Sequence, residues 1–212
     1  MAELLPAAKG FETVKRYVDD RRDSVVAKIL PGELYVTKHR ELITTVLGSC
    51  ISACIWDEKL GIGGMNHFML PQQGECKESS VGDALWLNSI SYSCRYGHWA
   101  MEFLINEIIK NGGSRPHLLS KIFGGGKIMA NMSDIGHNNI DFVRLYLKNE
   151  EIPVVAHDVG GPWPRKIIFC PNSGIVKVKR LRAMHNDTIE KREVAYFKDI
   201  IKQPDTTDIE LF

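Results

Sequence analysis

The chain has no CxxC pair, no HExxH pair and no Cys/His quartet at zinc-finger spacing, so the common residue patterns of protein metal sites are missing. It also lacks any stretch near the roughly twenty consecutive apolar residues of a membrane-spanning helix. Glu3 and Pro6 stand close to Met1, without the basic-then-apolar order of an export signal. The expectation is a soluble, cytoplasmic protein with no membrane insertion, no metal and no other cofactor. An excess of one charge is missing too: 25% of the 212 residues are charged, yet the net charge is +1. No overall field draws the protein to nucleic acid or an anionic membrane, so partners must be recognised by local shape and chemistry. The five cysteines are an odd number, scattered as Cys50, Cys54, Cys76, Cys94 and Cys170, which suits free thiols better than a disulfide framework.

No Pro, Gly or Ser-rich linker divides the chain, so one compact domain is expected, spanning 25–183, with a peripheral arm at 1–24 and a C-terminal surface helix and tail at 184–212. Val25 to Leu30 and Leu34 to Thr37 are short β-prone runs on either side of Pro31-Gly32, read as a hairpin or a strand pair. Leu42 to Leu47 is β-branched and apolar and reads as a strand running into Gly48-Ser49. Ile51 to Trp56 and Ile62 to Leu70 are extended segments joined at hairpin spacing through Gly61. The polar segment 72–95 reads as a long loop covering a site, with one apolar patch at Leu85-Trp86-Leu87. Tyr96 to Lys110 has helical apolar spacing (Met101, Leu104, Ile105, Ile108, Ile109) and a stop at Asn111-Gly112-Gly113. Leu119 to Phe123 reads as a strand and His137 to Asn149 as a second helix. Strands are expected at Val154 to His157, Ile167 to Cys170 and Ile175 to Leu181. Beyond Met184, Asp187 with Glu190 resembles an N-cap pair, and Val194, Phe197 and Ile201 form an apolar stripe.

Chemistry is most legible around Thr44-Thr45-Val46-Leu47-Gly48-Ser49-Cys50 and Asn66-His67-Phe68-Met69-Leu70-Pro71. A cysteine just after a Gly-Ser turn, with a histidine on the next apolar segment, suggests a thiol nucleophile and its base. A sharp turn at Gly48-Ser49 would present the thiol and leave amide N–H groups free for a developing oxyanion. If Asp57 pairs with Ile62, His67 falls opposite Ser52 and Met69 opposite Cys50. Cys50 and His67 then share one face as diagonal neighbours, about 7 Å apart at Cβ. A slip of one residue would separate them. Thr44 could orient the imidazole through its hydroxyl, although a β-branched strand residue needs no further role. A buried cysteine or a histidine on an apolar run can equally be ordinary core.

Gly124-Gly125-Gly126-Lys127 lacks the spacing and the Ser/Thr of a phosphate loop, since Ile128 follows the lysine. The glycines instead suit close backbone approach or an uncrowded binding surface. Gly124, Gly125 and Asn66 are carried as substrate-binding candidates. His98, His117, His137 and His157 fall on different elements and receive no role.

Leu47-Gly48-Ser49-Cys50, Gly63 to Pro71, Lys121-Ile122-Phe123-Gly124-Gly125 and Ile135-Gly136-His137-Asn138-Asn139 together resemble the CheD family, the chemoreceptor glutamine deamidases of bacterial chemotaxis. The likeness runs from about Pro31 to about Leu181. It implies an α+β fold, a layered β-sheet sandwich with two main helices packed outside, similar to the catalytic domain of cytotoxic necrotizing toxins. It places the family's nucleophile on Cys50, its histidine on His67 and its threonine on Thr44. The implied activity is conversion of receptor glutamine side chains to glutamate through a thioester, with receptor methylesterase activity as an addition. Expected partners are the cytoplasmic helices of methyl-accepting chemoreceptors and a CheC-type phosphatase. The alternatives are a non-catalytic adaptor binding receptors and CheC, or a cysteine hydrolase of small amides.

Overall fold

The computed structural model describes residues 2–70, 92–128, 135–182 and 187–202. In chain order the strands are β1 (Lys15–Asp19), β2 (Ser24–Lys28), β3 (Leu34–Thr37), β4 (Glu41–Leu47), β5 (Ile51–Asp57), β6 (Gly63–Asn66), β7 (Leu118–Gly124), β8 (Val154–Val159), β9 (Arg165–Cys170) and β10 (Ile175–Arg180). The helices are α1 (Tyr92–Lys110), α2 (Ile135–Asn149) and α3 (Asp187–Lys202). Among the described residues no helix is long and apolar enough to cross a membrane. Of the segment read as a covering loop, residues 92–95 begin α1, while 71–91, including Leu85-Trp86-Leu87, lie outside the described residues.

The strands form two five-stranded sheets, ordered β1-β2-β4-β9-β10 and β3-β6-β5-β7-β8. Among the described residues only the β2–β4 and β7–β8 pairs are parallel. The sheets meet across a shared core, where Trp56 of β5 lies edge-on to Phe169 of β9 with ring centroids 5.9 Å apart. Helix α1 covers β3, β5 and β6, and α2 covers β5, β7 and β8. The second sheet is therefore a middle layer, and every residue of its central strand β5 is buried. A strand covered on both faces reads as continuously apolar, as Ile51 to Trp56 does. The α+β class and the layering of sheets and helices follow the expectation.

Three local readings change. β2 and β3 do not pair: the Pro31-Gly32 turn carries the chain from the first sheet to the second. The segment read as a peripheral arm supplies the edge strand β1, paired with β2, and buries Phe11 and Val14. Helix α3, expected as a surface helix, points Ile189 and the charged Glu193 inward together with Phe197 of the expected apolar stripe.

The β5–β6 hairpin takes the register on which the site depends. Cys54 faces Met65, Ile55 faces Gly64 and Trp56 faces Gly63, and the same register continues to an Ile51–Phe68 bridge. The turn closes through the Asp57 N–H to the Ile62 carbonyl at 2.8 Å. It is fixed by the buried Asp57 carboxylate, which accepts from the N–H groups of Lys59 and Leu60, both at 2.9 Å, and of Ser114 at 2.8 Å. Burial alone would raise this carboxyl's pKa, but the backbone bonds and nearby His117 more than offset it and hold it below the ordinary carboxylate range. Asp57→Ala leaves three amides without their acceptor and should lower unfolding free energy by about 2–3 kcal/mol in denaturant titrations. Because the folded pKa is the lower one, this stabilisation is complete above the ordinary aspartate value of about 3.9 and is lost as pH falls through the depressed folded value.

Candidate active site

The nucleophile turn lies where the chain leaves β4 of the first sheet and enters β5 of the second. Glycines make this crossing possible. The amide of Gly126 donates to the Gly48 carbonyl and that of Gly125 to the Cys50 carbonyl, each at 2.7 Å. Gly124 has a φ of +111°, and a Cβ there would lie 2.1 Å from the Cys50 carbonyl oxygen, so no side chain fits. Asn139 on α2 adds a third support: its Nδ2 donates to the Ser49 carbonyl at 2.8 Å, while its Oδ1 accepts from the Leu70 N–H at 2.7 Å. With the turn's carbonyls held on one side, the amides of Gly48, Ser49 and Cys50 converge on the other. They meet the Glu193 carboxylate of α3 at 2.8, 2.9 and 3.4 Å, and the Ser49 hydroxyl donates to it at 2.7 Å.

Cys50 and His67 meet as the hairpin register requires. Cys50 Sγ, a ring nitrogen of His67 and a carboxylate oxygen of Glu193 all lie within 4.8 Å of one another. The His67 backbone is tied to the segment before β3, its N–H donating to the Glu33 carbonyl at 2.9 Å and its carbonyl accepting from Gly32 at 2.8 Å. The ring is oriented by Thr45, whose Oγ1 is 2.8 Å from Nδ1. The Thr45 hydroxyl gives its single proton to the Ile29 carbonyl at 2.9 Å, so Nδ1 carries the proton and donates to Thr45. Nε2 is thereby left unprotonated, and it has no hydrogen-bond partner. It is the nitrogen free to take a proton from the thiol.

Several expectations are corrected. Thr44 does not orient the imidazole: successive strand residues face opposite ways, and its hydroxyl donates to the Ile167 carbonyl of β9 at 2.7 Å. Asn66 is buried and braces the interior, accepting from the Ala53 N–H at 2.8 Å and donating to the Ala100 carbonyl at 3.2 Å. Gly124 and Gly125 are buried behind the nucleophile, where they support its turn.

Both reactive groups are uncharged as the structure stands. Burial and the Glu193 charge, with a hydrogen bond to it, push the Cys50 thiol well above its ordinary pKa, against a smaller opposing effect of Arg192. Burial, then the Arg192 charge, lowers His67 to about 3. Cysteine, histidine and glutamate can together hold a soft metal ion, but here the carboxylate oxygens are committed to backbone and hydroxyl donors. The donors of the turn take up the roughly four acceptor positions of a carboxylate, so the arrangement is that of an anion-binding turn.

Comparison with known sequences places this geometry. A family model described as CheD chemotactic sensory transduction matches residues 69–180. A protein of Saccharophagus degradans named probable chemoreceptor glutamine deamidase CheD is 48% identical over all of this chain and 95% of its own length. The chain belongs to the CheD family. CheD relatives with the same printed name in Halorhodospira halophila and Methylobacillus flagellatus are 45% and 48% identical, covering 96% and 92% of this chain and 92% and 94% of their own. The CheD family model begins after His67, whereas the Saccharophagus relative spans the turn, the hairpin and α3.

The residues missed in the sequence are Thr45, Asn139 and Glu193. Strand parity alone would not have chosen between Thr44 and Thr45. Asn139 stood within a motif that carried the family resemblance. For Glu193 there was a signal: Ile189 and Phe197 lie one turn away on either side, which puts an acid in the middle of an apolar helix face.

The depressed His67 pKa makes a pH prediction. The folded state refuses a proton that the unfolded imidazole accepts below about 6.5. Stability contributed by neutral His67 is therefore full above that value and declines as pH falls toward about 3. In denaturant unfolding measured across this range, His67→Gln should reduce the slope of stability against pH by about one proton's worth.

Proposed function

We propose that this chain hydrolyses the side-chain amide of glutamines in chemoreceptors, converting them to glutamate. The observation that carries the reading is His67, with an unpartnered Nε2 and its ring grouped with Cys50 Sγ, beside a turn whose backbone amides already bind carboxylate oxygens. Donors that hold a carboxylate are suited to the oxyanion of acyl transfer. The names of the relatives agree, each being called a probable chemoreceptor glutamine deamidase.

His67 Nε2 takes the Cys50 proton, and the thiolate attacks the carboxamide carbon. The resulting oxyanion is stabilised by the amides of Gly48, Ser49 and Cys50. The protonated imidazole, held by Thr45 through Nδ1–H, gives its proton to the departing nitrogen, and ammonia leaves a thioester on Cys50. Nε2 next deprotonates a water that attacks this thioester, and the sulfur leaves and recovers the proton. The balance is amide plus water to carboxylic acid plus ammonia. The same acyl chemistry would accept a methyl ester, releasing methanol, so methylesterase action on receptor glutamates belongs to this reading. A receptor's cytoplasmic helix gains a negative charge at each converted glutamine, which changes its packing with neighbouring helices. Action on that part of a receptor places the enzyme in the cytoplasm.

Incubation with receptor cytoplasmic fragments, followed by peptide mass spectrometry, should find glutamine converted to glutamate. Cys50→Ala should abolish conversion. Thr45→Val should slow it by about tenfold to a hundredfold by releasing the imidazole, whereas Thr44→Val should leave it within a few-fold. No conversion by the intact chain, or equal conversion by Cys50→Ala, would overturn the reading.

A further inference from the structure

Glu193 is 1% exposed, and its oxygens meet donors from the three residues that form the nucleophile turn. Glutamate has the carbon skeleton of glutamine and is what amide hydrolysis of glutamine leaves behind. The turn is shaped around this carboxylate: a Cβ on Gly48 would come within 2.7 and 2.8 Å of the Glu193 oxygens. Helix α3 flanks the acid with buried Ile189 and Phe197 one turn on either side, and Tyr196 lies against Gly32 and bonds its hydroxyl to that of Tyr96 on α1. Cys50 and His67 are meanwhile 0% and 1% exposed. No carboxamide from another molecule can reach the thiol while α3 is seated.

We propose that α3 is a built-in product mimic: Glu193 stands in the place of the product glutamate, α3 lies on the track of the segment carrying the substrate glutamine, and catalysis requires α3 to vacate it. This rests on the deamidase reading and sharpens it. The substrate segment is a helix whose glutamine has apolar residues one turn before and one turn after, matching the pockets now filled by Ile189 and Phe197. The glutamine's oxygen takes the amides of Gly48, Ser49 and Cys50, and its carbon faces Cys50 Sγ. The seat also carries uncompensated polar burial, since Arg192 Nε and His67 Nε2 are both buried without a partner. Such groups disfavour the seated state and leave room for a better-matched helix to replace it. Removal of Glu193 takes a negative charge away from the thiol and leaves the three amides open for the oxyanion.

The test is Cys50 alkylation by iodoacetamide in the full-length chain, localised by peptide fragmentation and read as a ratio to Cys54, which is equally buried but distant from α3's contacts with the turn. Tyr196→Ala loosens α3 without touching the turn or its charge, and Glu193→Ala removes the acid. Both should raise the Cys50-to-Cys54 ratio at least tenfold and speed conversion of receptor fragments several-fold. A ratio unchanged in both variants, whether neither thiol reacts or both react together, would overturn the proposal. A raised ratio with no deamidation by any variant would sink the deamidase reading and leave α3 as the cover of the thiol. Deamidation by the unaltered chain with an unchanged ratio would do the reverse.

Discussion

The site depends on one constraint: the carbonyls of Gly48, Ser49 and Cys50 are all taken from behind, by Gly126, Asn139 and Gly125, so their amides can only point forward. A short turn with every carbonyl satisfied on one side is a fixed array of partial positive charge on the other. Its support continues outward. The Lys127 N–H donates to the Gly161 carbonyl and the Gly160 N–H to the Gly124 carbonyl, which ties the glycine loop to the segment after β8. That segment is gripped by buried Arg165, whose guanidinium donates to the carbonyls of Asp158 and Gly160 and to the Asp158 carboxylate. A charged side chain deep in the first sheet thus holds the wall against which the nucleophile turn is pressed.

Two sheets are needed because the working groups come from both. β4 supplies Thr45, β5 begins at the residue after Cys50, and β6 leads into His67. The crossing between sheets sets the thiol between a base fixed by one strand pair and an anion site fixed by loops. This explains why the reactive groups are electrically silent with α3 in place. A buried imidazole near an arginine stays neutral, and a buried thiol beside a carboxylate stays protonated. Once the carboxylate is gone its charge no longer holds the thiol pKa up, and the same amides are open to a developing oxyanion.

Much of this was legible in the sequence. An even-length loop between Asp57 and Ile62 fixed the pairing, and the pairing fixed that Cys50 and His67 share a face. The alternation of apolar residues at helical spacing marked α1 and α2 for the same reason that they pack on the middle sheet. What escaped was interaction at long range. Thr44 and Thr45 are equally plausible on a strand until the second sheet is placed above one of them. Asn66 and the glycines looked available for substrate because sequence carries no record of which backbone groups will be buried against them. Glu193 lies far along the chain from the turn it binds, and its part in the site arises only when α3 folds back onto the turn between β4 and β5.

The most direct measurement of the central claim uses the chain itself as substrate. In Glu193→Gln, a glutamine is delivered on α3 to the amides of Gly48 and Ser49 beside Cys50. After purification and digestion, the peptide bearing residue 193 should be recovered as glutamate when Cys50 is intact, and as glutamine in the Glu193→Gln/Cys50→Ala double variant. Recovery of glutamine at 193 in both would contradict the account of Cys50, His67 and the turn as a site for glutamine hydrolysis.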